Sequence, residues 1–227
     1  MLRPHPSGRP SPFAQPTPSA STVPTPDPFP PDAARERLVA LLAERSARRG
    51  HFVLSSGRAS SLYIDARLTT MHPDGLALVG PLGLAAVRDA GWAPDAVGGL
   101  TLGADPVAYA VAYASALVAA DGGPAAVRGF TVRKAPKTHG TAQRIEGPFA
   151  AGDRVAVVED VITTGGSALQ AIEAIRAAGG VVTGVLAVVD REEGGREAIE
   201  QAAGVPVLAL ARAAEIVARL PDPSAGG

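Results

Sequence analysis

Apolar stretches of strand length recur along this chain at residues 96–100, 130–133, 154–159, 181–189 and 205–210. Most are apolar almost without interruption, whereas a half-exposed strand would alternate with polar residues. Segments with helical periodicity separate them, at 106–120, 166–178 and 195–203, with a preceding helix at 73–90 and a final one at 213–220. Strands that are apolar on both faces need cover on both faces. Alternation with helices supplies that cover and also the long crossovers that parallel strands require. The pattern predicts an α/β fold: an open, twisted, mainly parallel sheet flanked by helices.

Ahead of this pattern, Asp32 is placed to cap a helix over 32–49, with Leu38, Leu41 and Leu42 on one face and Gly50 at its end. Residues 51–54 and 62–65 then read as two short strands around the turn Ser55-Ser56-Gly57-Arg58. Residues 1–31 are rich in Pro, Ser and Thr and short of large apolar side chains. Such a stretch cannot offset the entropy of ordering it, so a disordered tail is expected there. One folded domain is expected over 32–220, with 221–227 a flexible end.

Several function classes are excluded early. The formal net charge is −1, so no global field draws nucleic acid or an anionic membrane. The chain has no cysteine, and its four histidines show no paired metal-ligand spacing. No uncharged apolar run reaches the ~18 residues of a membrane span. The N-terminus lacks the apolar core of a signal peptide, which makes a cytoplasmic protein the expectation. Of 21 basic residues only Lys134 and Lys137 are lysines, and they lie within four residues of each other. A solvated basic loop is one reading of that pair; a requirement for ammonium groups is the other.

The strongest local signal is Val157-Val158-Glu159-Asp160-Val161-Ile162-Thr163-Thr164-Gly165-Gly166-Ser167. A buried strand delivers two acids, then a Thr/Gly loop, then a helix. In open parallel sheets ligands lie beyond the carboxyl ends of strands. Here Gly165 and Gly166 would let the backbone approach a ligand, and the helix would turn its free N–H groups toward it. Ser167 is followed by Ala168, so the lysine of a nucleotide-triphosphate loop is missing, as is a Gly-x-Gly-x-x-Gly fingerprint. Two acids beside a phosphate cradle suit a sugar phosphate, the carboxylates accepting from vicinal hydroxyls.

This string resembles the PRPP-binding signature of the type I phosphoribosyltransferases. Further resemblance, to the orotate-specific family, is carried by Phe130-Thr131-Val132-Arg133-Lys134-Ala135-Pro136-Lys137-Thr138-His139-Gly140, by Phe52 to Arg58, by Tyr63-Ile64-Asp65, and by Val188-Val189-Asp190-Arg191-Glu192-Glu193. The similarity runs over about residues 33 to 220 in the family's order. It implies the type I phosphoribosyltransferase fold with a small N-terminal hood, mainly 32–70 plus a C-terminal part. It implies transfer of the 5-phosphoribosyl group from PRPP to orotate, giving orotidine 5′-monophosphate and pyrophosphate in UMP synthesis.

Residue by residue, the resemblance assigns PRPP binding to Arg133, Lys134, Lys137, His139, Glu159, Asp160, Val161, Ile162, Thr163, Thr164, Gly165, Gly166 and Ser167. Within that set Lys137, His139 and Asp160 are the catalytic candidates. Orotate contacts fall on Thr163, Arg191, Tyr63 and Ile64. Mg²⁺ is expected on PRPP itself, without a dedicated protein cage. A homodimer with shared active sites is implied, because part of the loop after residue 133 reaches a partner subunit in the family.

From the residues alone, Arg191 fits a surface ion pair with Glu192 or Glu193 as well as it fits a substrate carboxylate. Two positions depart from the family pattern: Ser55 and Gly103 stand where some members carry lysine. Rival readings are a transferase for another base, a PRPP-sensing regulator, and a fusion with the following decarboxylase. A purine enzyme would not need Arg191. A regulator would usually add a basic DNA-binding segment, and the chain leaves no room for a fusion after Leu220.

Overall fold

The structure, a computed structural model, describes residues 31–53, 59–135 and 144–221. The expected tail through residue 30, the turn at 54–58, the loop at 136–143 and the C-terminal 222–227 lie outside the described residues.

Parallel strands β3 (Ala96–Leu100), β4 (Arg128–Val132), β6 (Arg154–Ile162), β7 (Val181–Asp190) and β8 (Val207–Arg212) form the central sheet, with the short β5 (Ile145–Glu146) antiparallel at one edge. The spatial order is β5-β4-β3-β6-β7-β8. Helices α1 (Pro31–Leu41), α3 (Pro73–Asp89), α4 (Ala104–Ala120) and α7 (Ala213–Val217) join one core, and α5 (Gly166–Ala177) and α6 (Gly195–Ala203) the other. Strand residues split between the two cores by parity. Ala156, Val158, Leu186 and Val188 face the first, and Val155, Val157, Val185 and Ala187 face the second. Each of these eight side chains is fully buried, which is why the strands carry no polar alternation.

The helix expected over 32–49 is shorter. Regular α-helix ends at Leu41, and Asp32 sits in its first turn rather than ahead of it. A π-helical turn (Leu42–Ser46) follows, and β1 (Ala47–Val53) already begins at Ala47. The cause is tertiary pairing. Ala47, Arg48 and Arg49 pair antiparallel with Ile64, Tyr63 and Leu62 of β2 (Ala59–Ile64). The Ser46 carbonyl accepts the Asp65 N–H at 2.9 Å, and Ser46 Oγ bonds Thr69 Oγ1 at 2.7 Å. Those partners outweigh the helical preference of the Ala-Glu-Arg segment. Gly50 therefore lies in a strand, at the irregularity between Arg49 and Phe52. A one-turn helix α2 (Arg67–Thr70) links this hairpin to α3, whose start is set by His72 as cap and Pro73 in its first turn.

Toward the other end, the strand expected over 205–210 begins two residues later, at Val207. Pro206 has no N–H to give a ladder, but its carbonyl accepts from Val185 N at 2.9 Å. The polar loop expected through Gly147 contains β5. The final helix stops at Val217, short of residue 220.

Glycines let β3 sit close to both neighbours. A Cβ on Gly99 would lie 2.1 Å from the Val158 carbonyl oxygen and 2.7 Å from Ala104 Cβ; one on Gly98 would lie 2.6 Å from the Phe130 carbonyl oxygen. Two of these obstacles are backbone carbonyl oxygens and the third is a Cβ fixed to its own backbone, so none can swing aside. Gly99→Ala should therefore destabilise the protein by about 3 kcal/mol or more. Urea unfolding followed by circular dichroism measures this, and a loss below about 1 kcal/mol would contradict the close approach.

Candidate active site

The chain leaves the sheet in opposite directions after β3 and β6: β3 is followed by its neighbour β4 on one side, and β6 by β7 on the other. Such a reversal opens a crevice beyond the carboxyl ends of the two strands. A cavity of about 540 Å³ occupies it. Its walls are the loop after β3 (Leu100 to Gly103), the end of β6 with the following loop (Glu159 to Ala168), Arg191 after β7, and Tyr63, Ile64, Asp65 and Arg67 from the hairpin side.

Thr163 to Ser167 form the floor where α5 begins. Gly165 is left-handed at φ +81°, and a Cβ there would lie 2.7 Å from Ile199 Cγ1 and 2.8 Å from the Gly195 carbonyl oxygen, so only glycine fits. The first helical N–H to find a helix partner is that of Leu169, bonded to Gly165 O at 3.0 Å. The N–H groups of Gly166, Ser167 and Ala168 belong to the open first turn, where partial positive charge collects. This geometry suits a phosphate monoester.

The two acids differ sharply. Glu159 is buried, with 6 % of its surface exposed, and its Oε2 has no partner among the described residues. Burial, followed by the adjacent Asp160 charge, pushes its carboxyl well above the usual glutamate range. Asp160 Oδ1 accepts the Val161 N–H at 2.9 Å. Its carboxylate lies against Gly103: a Cβ there would come within 2.4 Å of Asp160 Oδ1. Any side chain at 103 would thus turn Asp160 away, which gives a local reason for glycine at this departure from the family pattern.

The loop after β3 is held by Asp105, which accepts from Thr101 Oγ1 at 2.7 Å and from Thr131 Oγ1 at 2.9 Å. The Thr101–Leu102 peptide within it is cis. Tyr63 stacks at 5.3 Å on Phe52, and both Tyr63 and the buried Ile64 line the cavity.

Arg191 is buried, not on the surface. Its Nη2 donates to Glu193 Oε1 at 2.6 Å, to Leu62 O at 3.2 Å and to Ser60 Oγ at 3.3 Å, which ties the hairpin to the end of β7. Both local readings of Arg191 therefore meet: it is ion-paired with Glu193 and it lines the cavity. Its Nε has no partner among the described residues. Lys134 lines the cavity, whereas Arg133 is not among its walls and bonds Glu146 at 3.4 Å. Lys137 and His139 lie outside the described residues. Sequence reasoning assigned no role to Asp65, Arg67 or Asp105. The strand–loop–helix pattern at 96–106, which repeats that of 154–167, was a signal for the last of these.

Fold and site together define a phosphoribosyltransferase of type I. No family model matches the chain. It is, however, 47 % identical over 186 residues to the orotate phosphoribosyltransferase of Aquifex aeolicus, covering 81 % of this chain and 97 % of that protein. It is 48 % identical over 179 residues to that of Mycobacterium avium, covering 78 % and 94 %. A crystal structure of Mycobacterium tuberculosis orotate phosphoribosyltransferase in complex with PRPP superposes with a TM-score of 0.66 at 39 % identity, over 81 % of this chain and 99 % of that one. Adenine phosphoribosyltransferase from Leishmania donovani, at 17 % identity and a TM-score of 0.59, shares the fold. The chain belongs to the orotate phosphoribosyltransferase family.

The state of Glu159 has a measurable consequence. A carboxyl raised in the folded protein binds its proton there when the unfolded chain has already lost it. Its contribution to stability is therefore present below the unfolded value, near 4.5, and is lost as pH rises through the folded one. Glu159→Gln removes that loss. The variant should be more stable than the parent at pH 8, with the gain shrinking toward pH 4.5. Unfolding curves across that range check it; a gain that stays flat with pH would mean that Glu159 is not held protonated.

Proposed function

We infer that the chain transfers the 5-phosphoribosyl group of PRPP to orotate, releasing pyrophosphate and forming orotidine 5′-monophosphate. The observation that carries this reading is one cavity with a phosphate cradle, two carboxylates beside it and a buried guanidinium at its wall. In the proposed reaction Thr163 to Ser167 hold the 5′-phosphate, joined by the backbone of Val161 and Ile162. Glu159 and Asp160 take the ribose hydroxyls, Glu159 as a protonated donor and Asp160 as an acceptor. The N1 lone pair of orotate forms the bond to C1 as the C1–oxygen bond to pyrophosphate breaks. Positive charge develops on the sugar and negative charge on the leaving group.

Asp160 stabilises the first charge. Lys134, Lys137, His139 and Arg133 answer the second, with Lys137 and His139 the groups that act as the bond breaks. The Arg191 Nε–H, buried without a partner among the described residues, is a donor suited to the orotate carboxylate. Tyr63 and Ile64 pack on the ring, and Thr163 completes the base site. Mg²⁺ belongs to this reading as the ion carried by PRPP: the Asp160 carboxyl offers hard oxygen donors beside the expected sugar, and the ion would add positive charge at the diphosphate.

A cytoplasmic homodimer with shared sites completes the proposal. Its support is α4, which leaves Tyr109, Tyr113 and Leu117 exposed one turn apart as an apolar stripe.

The direct test follows ultraviolet absorbance with PRPP, Mg²⁺ and each of orotate, uracil, adenine and hypoxanthine. Turnover is expected with orotate alone; turnover with another base in its place would refute the assignment. Lys137→Ala should lower kcat by about 100-fold or more with an unchanged melting temperature. Arg191→Ala should raise the orotate KM by about 10- to 100-fold. Mixing the two variants should restore part of the activity if sites are shared between subunits; no recovery after exchange would place Lys137 and Arg191 in the same subunit's site.

A further inference from the structure

Arg67 is the cation of this cavity to which the mechanism gives no task. Its Nε and Nη2 form a fork onto Asp65, at 2.8 Å to Oδ1 and 2.9 Å to Oδ2, and its own backbone N–H bonds Asp65 Oδ1 at 3.2 Å. Asp65 is in turn fixed where β2 ends, by the bond from its N–H to Ser46 O. One edge of the guanidinium is therefore locked. Its Nη1 carries no contact among the described residues, and the side chain is 43 % exposed. Arg67 also borders a smaller pocket with Leu102, so it stands beside the loop after β3. The Asp160 carboxylate is near enough for its charge to raise the Arg67 guanidinium further, after the larger effect of Asp65.

Stability does not require this arrangement. An exposed Arg–Asp pair two residues apart contributes little to folding. The short helix α2 is held by other groups: Ala66, Thr69 and Thr70 are buried, and Thr69 Oγ1 bonds Ser46 Oγ. A guanidinium with one edge fixed and the other open suits a group with several acceptor oxygens. The cradle at α5 has room for one phosphate, and the cavity walls that remain near Asp160 and Leu102 are where a second anionic group of the same substrate would lie. The cations lining the cavity among the described residues are Arg67, Lys134 and Arg191, and Arg191 is engaged by Glu193.

We propose that Arg67, oriented by Asp65, binds the diphosphate that PRPP carries on C1; this assignment rests on the transferase reading above. Arg67→Ala should raise the KM for PRPP about 10- to 100-fold and weaken inhibition by inorganic pyrophosphate by a similar factor. The orotate KM should stay within about twofold, since the base site lies at Arg191. Arg67→Lys keeps the charge without the fork and should recover part of the loss. Asp65→Asn, which loosens the fork, should give a smaller shift in the same direction. An active parent whose Arg67→Ala variant keeps both the PRPP KM and the pyrophosphate inhibition would overturn the proposal. So would a parallel rise of both KM values with a lowered melting temperature, which would make Arg67 a structural residue. If the parent turns over no base, the transferase reading fails instead, and calorimetric titration of parent and Arg67→Ala with inorganic pyrophosphate still decides the anion site: equal affinities would overturn it.

Discussion

The close approach of β3 to β6 is the constraint on which the site depends. Gly99 leaves no space for a methyl group between β3 and the Val158 carbonyl, and Gly103 leaves none beside Asp160. Bulkier residues at either position would widen the crevice or turn the acid. Because the chain departs to opposite sides after these two strands, the loops 101–103 and 163–165 part rather than cover each other. The cavity is thus a consequence of strand order, and its small residues are a consequence of how tightly the two strands must lie.

That geometry works against stability at one residue. Glu159 is buried at the end of β6, where Oε2 finds no donor among the described residues and the neighbouring Asp160 charge adds to the cost of ionising it. A folded protein holds such a group only when the surrounding core over-determines its position. Here the core is continuous up to the site: Val157, Val158 and Ile162 are buried on either side of the acid pair. The fully apolar strand thus serves the chemistry by fixing Glu159, whose carboxyl burial pushes well above the usual range, next to Asp160 at the cavity wall.

Much of this was legible in the sequence, because it was written in local residue order. Strands buried on both faces read as unbroken apolar runs, and the cradle at 163–167 announces itself by composition and by position between strand and helix. What was not legible depends on partners distant in the chain. Residues 47–49 follow helical propensity until Ile64, Tyr63 and Leu62 are placed beside them. Asp105 carries no assigned role in the sequence, yet it staples Thr101 to Thr131 across two segments. Arg67 carries no signal in the sequence, and only the folded chain puts it in the wall shared with Asp160. The upward shift of the Glu159 carboxyl is invisible in sequence, since it comes from burial and not from the residue's identity.

Arg191 shows how the empty site can be stable and still selective. A buried guanidinium without a counter-charge is costly, and Glu193 relieves that cost at 2.6 Å before any substrate arrives. Binding a carboxylate at Arg191 is then an exchange or a sharing of partners, and its net gain is far less than a bare ion pair would give. The remaining buried donor, Nε–H, changes the balance. If Arg191 takes the base's carboxylate as proposed, a base that brings one would satisfy it, whereas one without would leave it unpaired, at a cost of about 1–3 kcal/mol. Selectivity would then reside in one hydrogen bond rather than in net charge. Glu193 keeps the charge compensated in either case.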